Sequence, residues 1–490
     1  MFWSRFRKDK TATEQELDPQ EAVNDQRALQ RLSRVVERRK DEAEAARQAA
    51  DAHGQQLQRL LGGNAFCVLA VPMDADMPTL IAAADDLAFS EELDPQAVEA
   101  ARAQLLAPRD RLAHELAWLP ATTPDQQARM RAALKQGDHG EIGAIRYGTS
   151  GLARINLGAA LIEAGITDAR LVRSVLDDVM AWDEHECRDR IDEARLRAGQ
   201  RESDPDHFAD AIAARRRAIA ASLAQGLAEQ RDGRALLAEF FTAQAEAVRS
   251  ARAPLLDDLA KAYERQVSAR LQQVSNGITA NIARLREAPL AGSVIGSICT
   301  SLDLWSQLRL PIQRLEEARG LDDLASADLM LEIRSLAIDL ANQYNQFDDC
   351  MRLVKALRVC CAAVPALRSR VEGDLHTIMG NLVSKRFDDA AAHAVLHAAK
   401  FAREAEAQGF DTEQPGMVRR VMDAFHDLVE HLGESDQHPW IALFNFAIAL
   451  HSDGGQGGAT LKLLQWMKLQ VLPVEVDRHV REILARAGRG

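Results

Sequence analysis

The stretch NAFCVLAVPMDAD, residues 64–76, interrupts a chain that elsewhere reads as charged or alanine-rich helix. Before it runs RVVERRKDEAEAARQAADAHGQQLQRLL (residues 34–61), part of a helix predicted over 25–61 that closes on Gly62-Gly63, residues suited to a helix C-terminus. Within the stretch, NAFCVLAV predicts one short apolar turn of helix. After it, MPTLIAAADDLAFS (77–90) repeats apolar residues at helical spacing, and DPQAVEAARAQLLA (94–107) opens on a capping aspartate and closes before Pro108. The expectation is a three-helix unit in which the brief first helix wedges its side chains between two longer ones. RDRLAHELAWLP (109–120) is expected to continue the last helix and to carry Trp118 and Leu119 onto the next layer.

Composition extends this reading to the whole chain. Its 490 residues can bury several cores. With 73 acidic residues against 60 Lys plus Arg and a net charge of -13, a whole-protein grip on nucleic acid is disfavoured, and no nucleic-acid partner is expected. Aromatic residues make up only 5%, and the apolar fraction leans on alanine, so the predicted fold class is all-α with almost no strand. Cys67, Cys187, Cys299, Cys350, Cys360 and Cys361 contain no CxxC pair and follow no apolar signal peptide, which reads as reduced, core-filling thiols in a cytoplasmic protein. No apolar run approaches the length, about 18 residues, needed to span a membrane.

The three-helix unit resembles the J domain of co-chaperones that act on DnaK-class ATP-driven chaperones. Val68, Leu69, Ala70 and Val71 stand where the J pattern has VLGV, and Ala75 takes the usual alanine of the following turn. Ala101, Leu105, Pro108 and Arg111 match the end of its third helix. Counted without gaps, the His-Pro-Asp tripeptide of that family falls on Glu92, Leu93 and Asp94, so only the aspartate is kept. The resemblance implies a three-helix fold that docks a protein partner, a DnaK-class chaperone among them, through Glu92, Leu93 and Asp94. The family's second helix is basic, whereas this one carries Asp85, Asp86, Glu91 and Glu92, so stimulation of a DnaK-class ATPase is not expected. The similarity covers about 50 of the 490 residues and rests on apolar spacing, and a coincidental three-helix unit stays open.

Before this unit, MFWSRFRKDK (1–10) interleaves Phe2, Trp3 and Phe6 with basic residues, a pattern suited to docking on an acidic partner groove, a membrane surface or stacked single-stranded nucleic acid; a frayed terminus is the plain alternative. Beyond it, helical patterns fill 121–245. Residues 246–292 read as long helices, a hairpin or coiled coil, with breaks at Pro254 and Gly277. In the last third, SLAIDLANQYNQFDDCMRLVKAL (335–357) resembles NFAIALHSDGGQGGATLKLLQWM (445–467): Ala337, Ile338, Leu340 and Leu353 align with Ala447, Ile448, Leu450 and Leu463 at a constant offset of 110. A further echo places Ile378, Phe387, Asp388 and Asp389 40 residues after Ile338, Phe347, Asp348 and Asp349. The pattern looks like degenerate tetratricopeptide-type hairpins over 293–490, with a helical bundle as the alternative.

Sought chemistry is sparse. GDHGEIGAIRYGTSG (137–151) lacks the spacing of a phosphate loop and is expected to be a helix-helix turn. The acidic run around Asp183, His185, Cys187 and Asp189 places its ligand types on two helix faces, which suits a solvated surface. His393 and His397 lie four apart with Asp389 one turn earlier, but no HExxH glutamate accompanies them. No catalytic residue, metal or cofactor is assigned.

The sequence therefore divides as segment 1–24, an N-terminal helix 25–63, a J-like domain 64–120, a helical middle 121–245, long helices 246–292 and a repeat-like domain 293–490. It points to a non-catalytic protein–protein interaction adaptor of co-chaperone type. A structural scaffold subunit of a larger assembly, membrane-peripheral or not, and a helical metal-dependent enzyme at His393 and His397 are the alternatives.

Overall fold

A computed structural model describes residues 51–89, 94–245, 254–289, 292–361, 364–433 and 436–487, preceded by Glu37, Lys40, Asp41, Glu44 and Gln48. The described residues form helices and turns and no strand. None of these helices is long and apolar enough to cross a membrane. The chain divides into two compact units, Met1–Gly233 with Ala253–Tyr263, and Arg234–Arg252 with Glu264–Gly490.

In the N-terminal unit, α1 (51–61) leads into α2 (Ala65–Val68), α3 (Met77–Ala88), α4 (Pro95–Leu106) and α5 (Pro108–Ala117). Then come α6 (Pro124–Gln136), α7 (His139–Tyr147), α8 (Gly151–Glu163), α9 (Ala169–Met180), α10 (Glu184–Arg197) and α11 (Pro205–Glu229). The centre of this unit is α8, whose sequence GLARINLGAALIE is apolar all round and which is buried from Leu152 to Ile162 apart from Arg154. Small residues bring its neighbours close. A Cβ on Gly158 would sit 2.4 Å from Val175 Cγ2 of α9, so alanine there must displace the Val175 and Arg146 side chains, and one on Gly226 of α11 would sit 2.0 Å from the Ile162 carbonyl oxygen, so alanine there requires backbone movement. The one polar core side chain of α8 fully matched to partners is Asn156: its amide donates to the carbonyls of Leu116 at 2.9 Å and Trp118 at 2.8 Å, and its oxygen accepts from Arg215 Nε at 3.0 Å and Nη2 at 2.9 Å.

α12 (Arg231–Ala243) and α13 (Pro254–Glu287) carry the chain across the division between units. Pro254 begins α13, as the sequence suggests, but Gly277 does not break it. Val267, Leu271, Val274, Ile278, Ile282 and Leu285 form one buried stripe through the glycine, and their burial outweighs its helix penalty of about 1 kcal/mol.

The second unit continues with α14 (Gly292–Arg319), α15 (Leu324–Tyr344), α16 (Phe347–Cys360), α17 (Pro365–Leu396), α18 (Ala398–Gln408), α19 (Met417–Leu432), α20 (Gln437–Ser452), α21 (Gly457–Lys468) and α22 (Val474–Ala487). Its last helices share a core built on aromatic rings. Phe401 meets Phe446 edge-on with centroids 5.4 Å apart, and Phe425 meets Trp440 at 5.0 Å.

Two of the three echoed segments are hairpins with the same turn. In α15–α16, Asn345 adopts φ 53° and the Gln346 amide donates to the Leu340 carbonyl at 3.0 Å. In α20–α21, 110 residues on, Gly455 adopts φ 64° and the Gln456 amide donates to the Leu450 carbonyl at 2.9 Å. The bond satisfies a carbonyl orphaned at the helix end. The third segment departs from the expectation: Ile378 and Phe387 both lie within the uninterrupted α17. Where the first copy has Asn345 it has Lys385, which gains nothing from a left-handed turn and instead pairs with Asp389 at 2.7 Å along the helix.

Two further local expectations are corrected. RDRLAHELAWLP does not continue α4: Ala107 is extended at ψ 118° and a new helix starts at Pro108, because the proline ring disfavours helical backbone in the residue before it. Residues 137–151 are not merely a turn, since they hold α7, capped by Asp138 through the Glu141 amide.

Candidate interaction site

The short apolar block finds its place as the plug of the N-terminal helices. Phe66, Leu69, Val71, Met73 and Ala75 are all buried. Asn64 caps α2 by accepting from the Phe66 amide at 3.0 Å, and its own amide donates to the His114 carbonyl of α5 at 3.0 Å. The chain then reverses at Ala70, which takes φ 52°, and the Val71 amide returns to the Phe66 carbonyl at 3.2 Å. The left-handed backbone suits glycine better than alanine.

Arg111 locks this arrangement. Its side chain is 1% exposed, donates from Nη2 to the carbonyls of Met73 at 2.9 Å and Ala75 at 3.3 Å, and lies 5.6 Å from the centroid of the Phe66 ring. Its Nε donates to Glu115 Oε1 at 2.8 Å, while Arg195 of α10 donates to Oε2 at 2.7 Å. Burial pushes the Glu115 carboxyl above its ordinary range against the pull of Arg195 and Arg111. The Arg111–Glu115 pair is legible as an i,i+4 spacing; its burial and the arrival of Arg195 are not.

The far ends of α3 and α4 present a different surface. Phe89, just past the last residue of α3, is 88% exposed. Asp85 and Asp86 are exposed on the same helix, Asp85 lying 3.5 Å from Arg102 of α4, and α3 contains no basic residue. Asp94 caps α4, its Oδ1 accepting from the Gln96 amide at 3.0 Å. Glu92 and Leu93, and the N-terminal Phe2, Trp3 and Phe6, lie outside the described residues. Phe89 was not singled out by its sequence because it continues the apolar repeat of α3; the signal was its place at the helix end, where that repeat has no core left to face.

Elsewhere the chemistry-bearing groups are dispersed. The rings of His393 and His397 lie with centroids 4.7 Å apart and planes tilted by 59°, while Asp389 is engaged with Lys385. Among the described residues, no three His, Cys, Asp or Glu side chains gather as a metal-binding group. Asp183 caps α10, accepting from the amides of His185 at 2.8 Å and Glu186 at 3.2 Å, while Cys187 is buried and His185 and Asp189 face solvent. The six thiols are free, and burial pushes those of Cys187, Cys350 and Cys360 up to about 12, and those of Cys67 and Cys361 to about 11, which keeps them protonated and unreactive at neutral pH.

The described residues are thus helices and turns, with a buried apolar plug and an exposed aromatic at the end of an acidic helix in the N-terminal unit, and paired hairpins in the second unit. No protein-family model, curated protein or solved structure matches the chain.

Proposed function

We propose that this protein is a non-catalytic protein–protein interaction adaptor of co-chaperone-like type, whose J-like unit over residues 64–120 docks a protein partner through the tip of α3 and α4. The observation that carries the reading is Phe89, a large apolar side chain 88% exposed at the end of an acidic helix and next to the positions of the family tripeptide. An exposed aromatic beside carboxylates suits a partner with an apolar pocket rimmed by basic groups. The J-like assignment draws support from Ala70, whose positive φ falls where the J pattern carries glycine, and from Arg111, which stands at the pattern's arginine and ties the end of the domain to its first loop. The tetratricopeptide-like hairpins α15–α16 and α20–α21 would offer a second surface for a client.

The partner class that the resemblance suggests is a DnaK-class chaperone, bound without stimulation of its ATPase because α3 is acidic where the family is basic. Binding of a purified DnaK-class chaperone to the intact chain, followed by surface plasmon resonance, tests this. Phe89→Ala and the pair Asp85→Lys, Asp86→Lys should each weaken binding at least tenfold while leaving the melting temperature in place. Joint replacement of Glu92, Leu93 and Asp94 should do the same, and undiminished affinity in all three variants would end the assignment of the tip. Glu92→His with Leu93→Pro, which restores the tripeptide, is expected to leave ATPase stimulation low while α3 stays acidic.

A further inference from the structure

A second site lies in the N-terminal unit, where the start of α5 meets the connection between α10 and α11. A cavity of about 360 Å³ is lined by the apolar side chains of Met77, Leu105, Leu106 and Leu112 together with Arg109, Arg111, Arg195 and Arg201. Its cations are not fully compensated. Glu115 serves both Arg111 and Arg195, whose side chains are 1% and 7% exposed, and Arg111 Nη1 is buried with no hydrogen-bond partner. Arg109 Nε donates to His207 Nε2 at 3.0 Å, a bond that needs the ring nitrogen unprotonated and so brings no countercharge. Glu115 lies behind the lining; of the two acids that do line the cavity, Glu202 and Asp204, Asp204 is occupied as the cap of α11, accepting from the amides of Asp206 at 3.0 Å and His207 at 3.1 Å. Four guanidiniums, those of Arg109, Arg111, Arg195 and Arg201, thus stand against three carboxylates, those of Glu115, Glu202 and Asp204, which leaves one positive charge. The start of α5 has no side-chain cap at Ala107, and the acid of its first turn, Asp110, is exposed and does not line the cavity.

We propose that this cavity binds an organic monoanion, a carboxylate carried on an apolar body. The carboxylate would balance the surplus guanidinium charge at the start of α5, and the apolar body would lie against the lining leucines. A free alkyl carboxylic acid and the C-terminus of a peptide ending in an apolar residue share this chemistry. The site is separate from the α3–α4 tip and does not depend on the reading of that tip.

Isothermal titration calorimetry of the intact chain with sodium octanoate and with the N-acetylated tripeptide Ala-Ala-Leu distinguishes the two sources, with octanamide and the N-acetylated, C-amidated tripeptide as neutral counterparts. Saturable binding of either anion, with its neutral counterpart at least tenfold weaker, is expected, and the tighter anion names the source. Arg109 and Arg201 are both exposed, so the double variant Arg109→Gln, Arg201→Gln should fold with an unchanged melting temperature and bind at least tenfold more weakly. Leu106→Trp, which fills space at the apolar lining, should weaken binding to a similar extent. Absence of saturable binding by both anions, equal binding of the neutral counterparts, or affinity untouched by these substitutions would each overturn the proposal.

Discussion

Each unit buries an acid against arginine, and the two acids respond oppositely. Glu115 in the N-terminal unit, 1% exposed, meets Nε of Arg111 and Nε of Arg195, one per oxygen, and burial prevails, raising its pKa. Asp323 in the second unit, 3% exposed, is also penalised by burial, yet its pKa is lowered. It accepts from Arg309 Nη2 at 2.9 Å and Nε at 3.1 Å and from the Ser326 amide at 3.3 Å, and also from the Ser326 hydroxyl. The contrast teaches that the number of donors aimed at the charged form, more than the presence of a cation, decides whether a buried carboxylate is at ease. It also separates two uses of arginine. Arg309 has Glu264 as a second partner at 3.2 Å, whereas Arg111 and Arg195 share one acid.

The largest effect is expected where both guanidiniums would lose their acid. Glu115→Ala should cost about 3–5 kcal/mol, because two buried cations are left without a carboxylate. Hydrogen-exchange mass spectrometry, which reads peptides of each unit separately, should show the loss in the N-terminal unit. Asp323→Ala should cost about 1.5–3 kcal/mol, since Arg309 retains Glu264. If Asp323→Ala proved the more damaging of the two, the contrast would be broken.

Acidity sharpens it. The lowered pKa of Asp323 means that its stabilisation is present above the unfolded value of about 3.9 and is lost as pH falls through the folded value. The raised pKa of Glu115 has the opposite sign: its contribution is full below about 4.3, the unfolded value, and declines as pH rises through the folded one. Unfolding measured across this range should therefore show Asp323→Asn removing part of the acid-induced loss in the second unit. Glu115→Gln should become less costly relative to the native chain as pH rises. Identical pH profiles for both variants would contradict the two assignments. The smallest effect concerns the plug itself, where Ala70→Gly should stabilise the N-terminal unit by about 1 kcal/mol by relieving φ 52°, as read by its melting transition.

Much of the local structure was legible. The three pieces after Gly63 became α2, α3 and α4, with Asp94 capping α4 as its sequence indicated, because capping and apolar spacing are local properties; the caps at Asn64 and Asp76 were not singled out. The offset of 110 between the two C-terminal segments likewise reappears in matched turns at Asn345 and Gly455, where backbone handedness selects the residue. The third echo misled because apolar spacing is the same within a long helix and across a hairpin; only the turn residue separates them, and Lys385 does not provide one. Gly277 misled in the opposite direction, as a local helix penalty smaller than the burial gained along α13.

Composition, caps and periodicity thus settled by themselves that the described residues are helical and where α2, α3 and α4 lie, since each of those choices is made within a few residues of backbone. Tertiary structure alone decided that Glu115 serves an arginine 80 residues away, that Phe89 faces solvent while Phe66 lies under a guanidinium, and that four arginines share a cavity with apolar side chains. Burial and long-range charge pairing depend on which helix faces meet, and no local window of sequence contains that information.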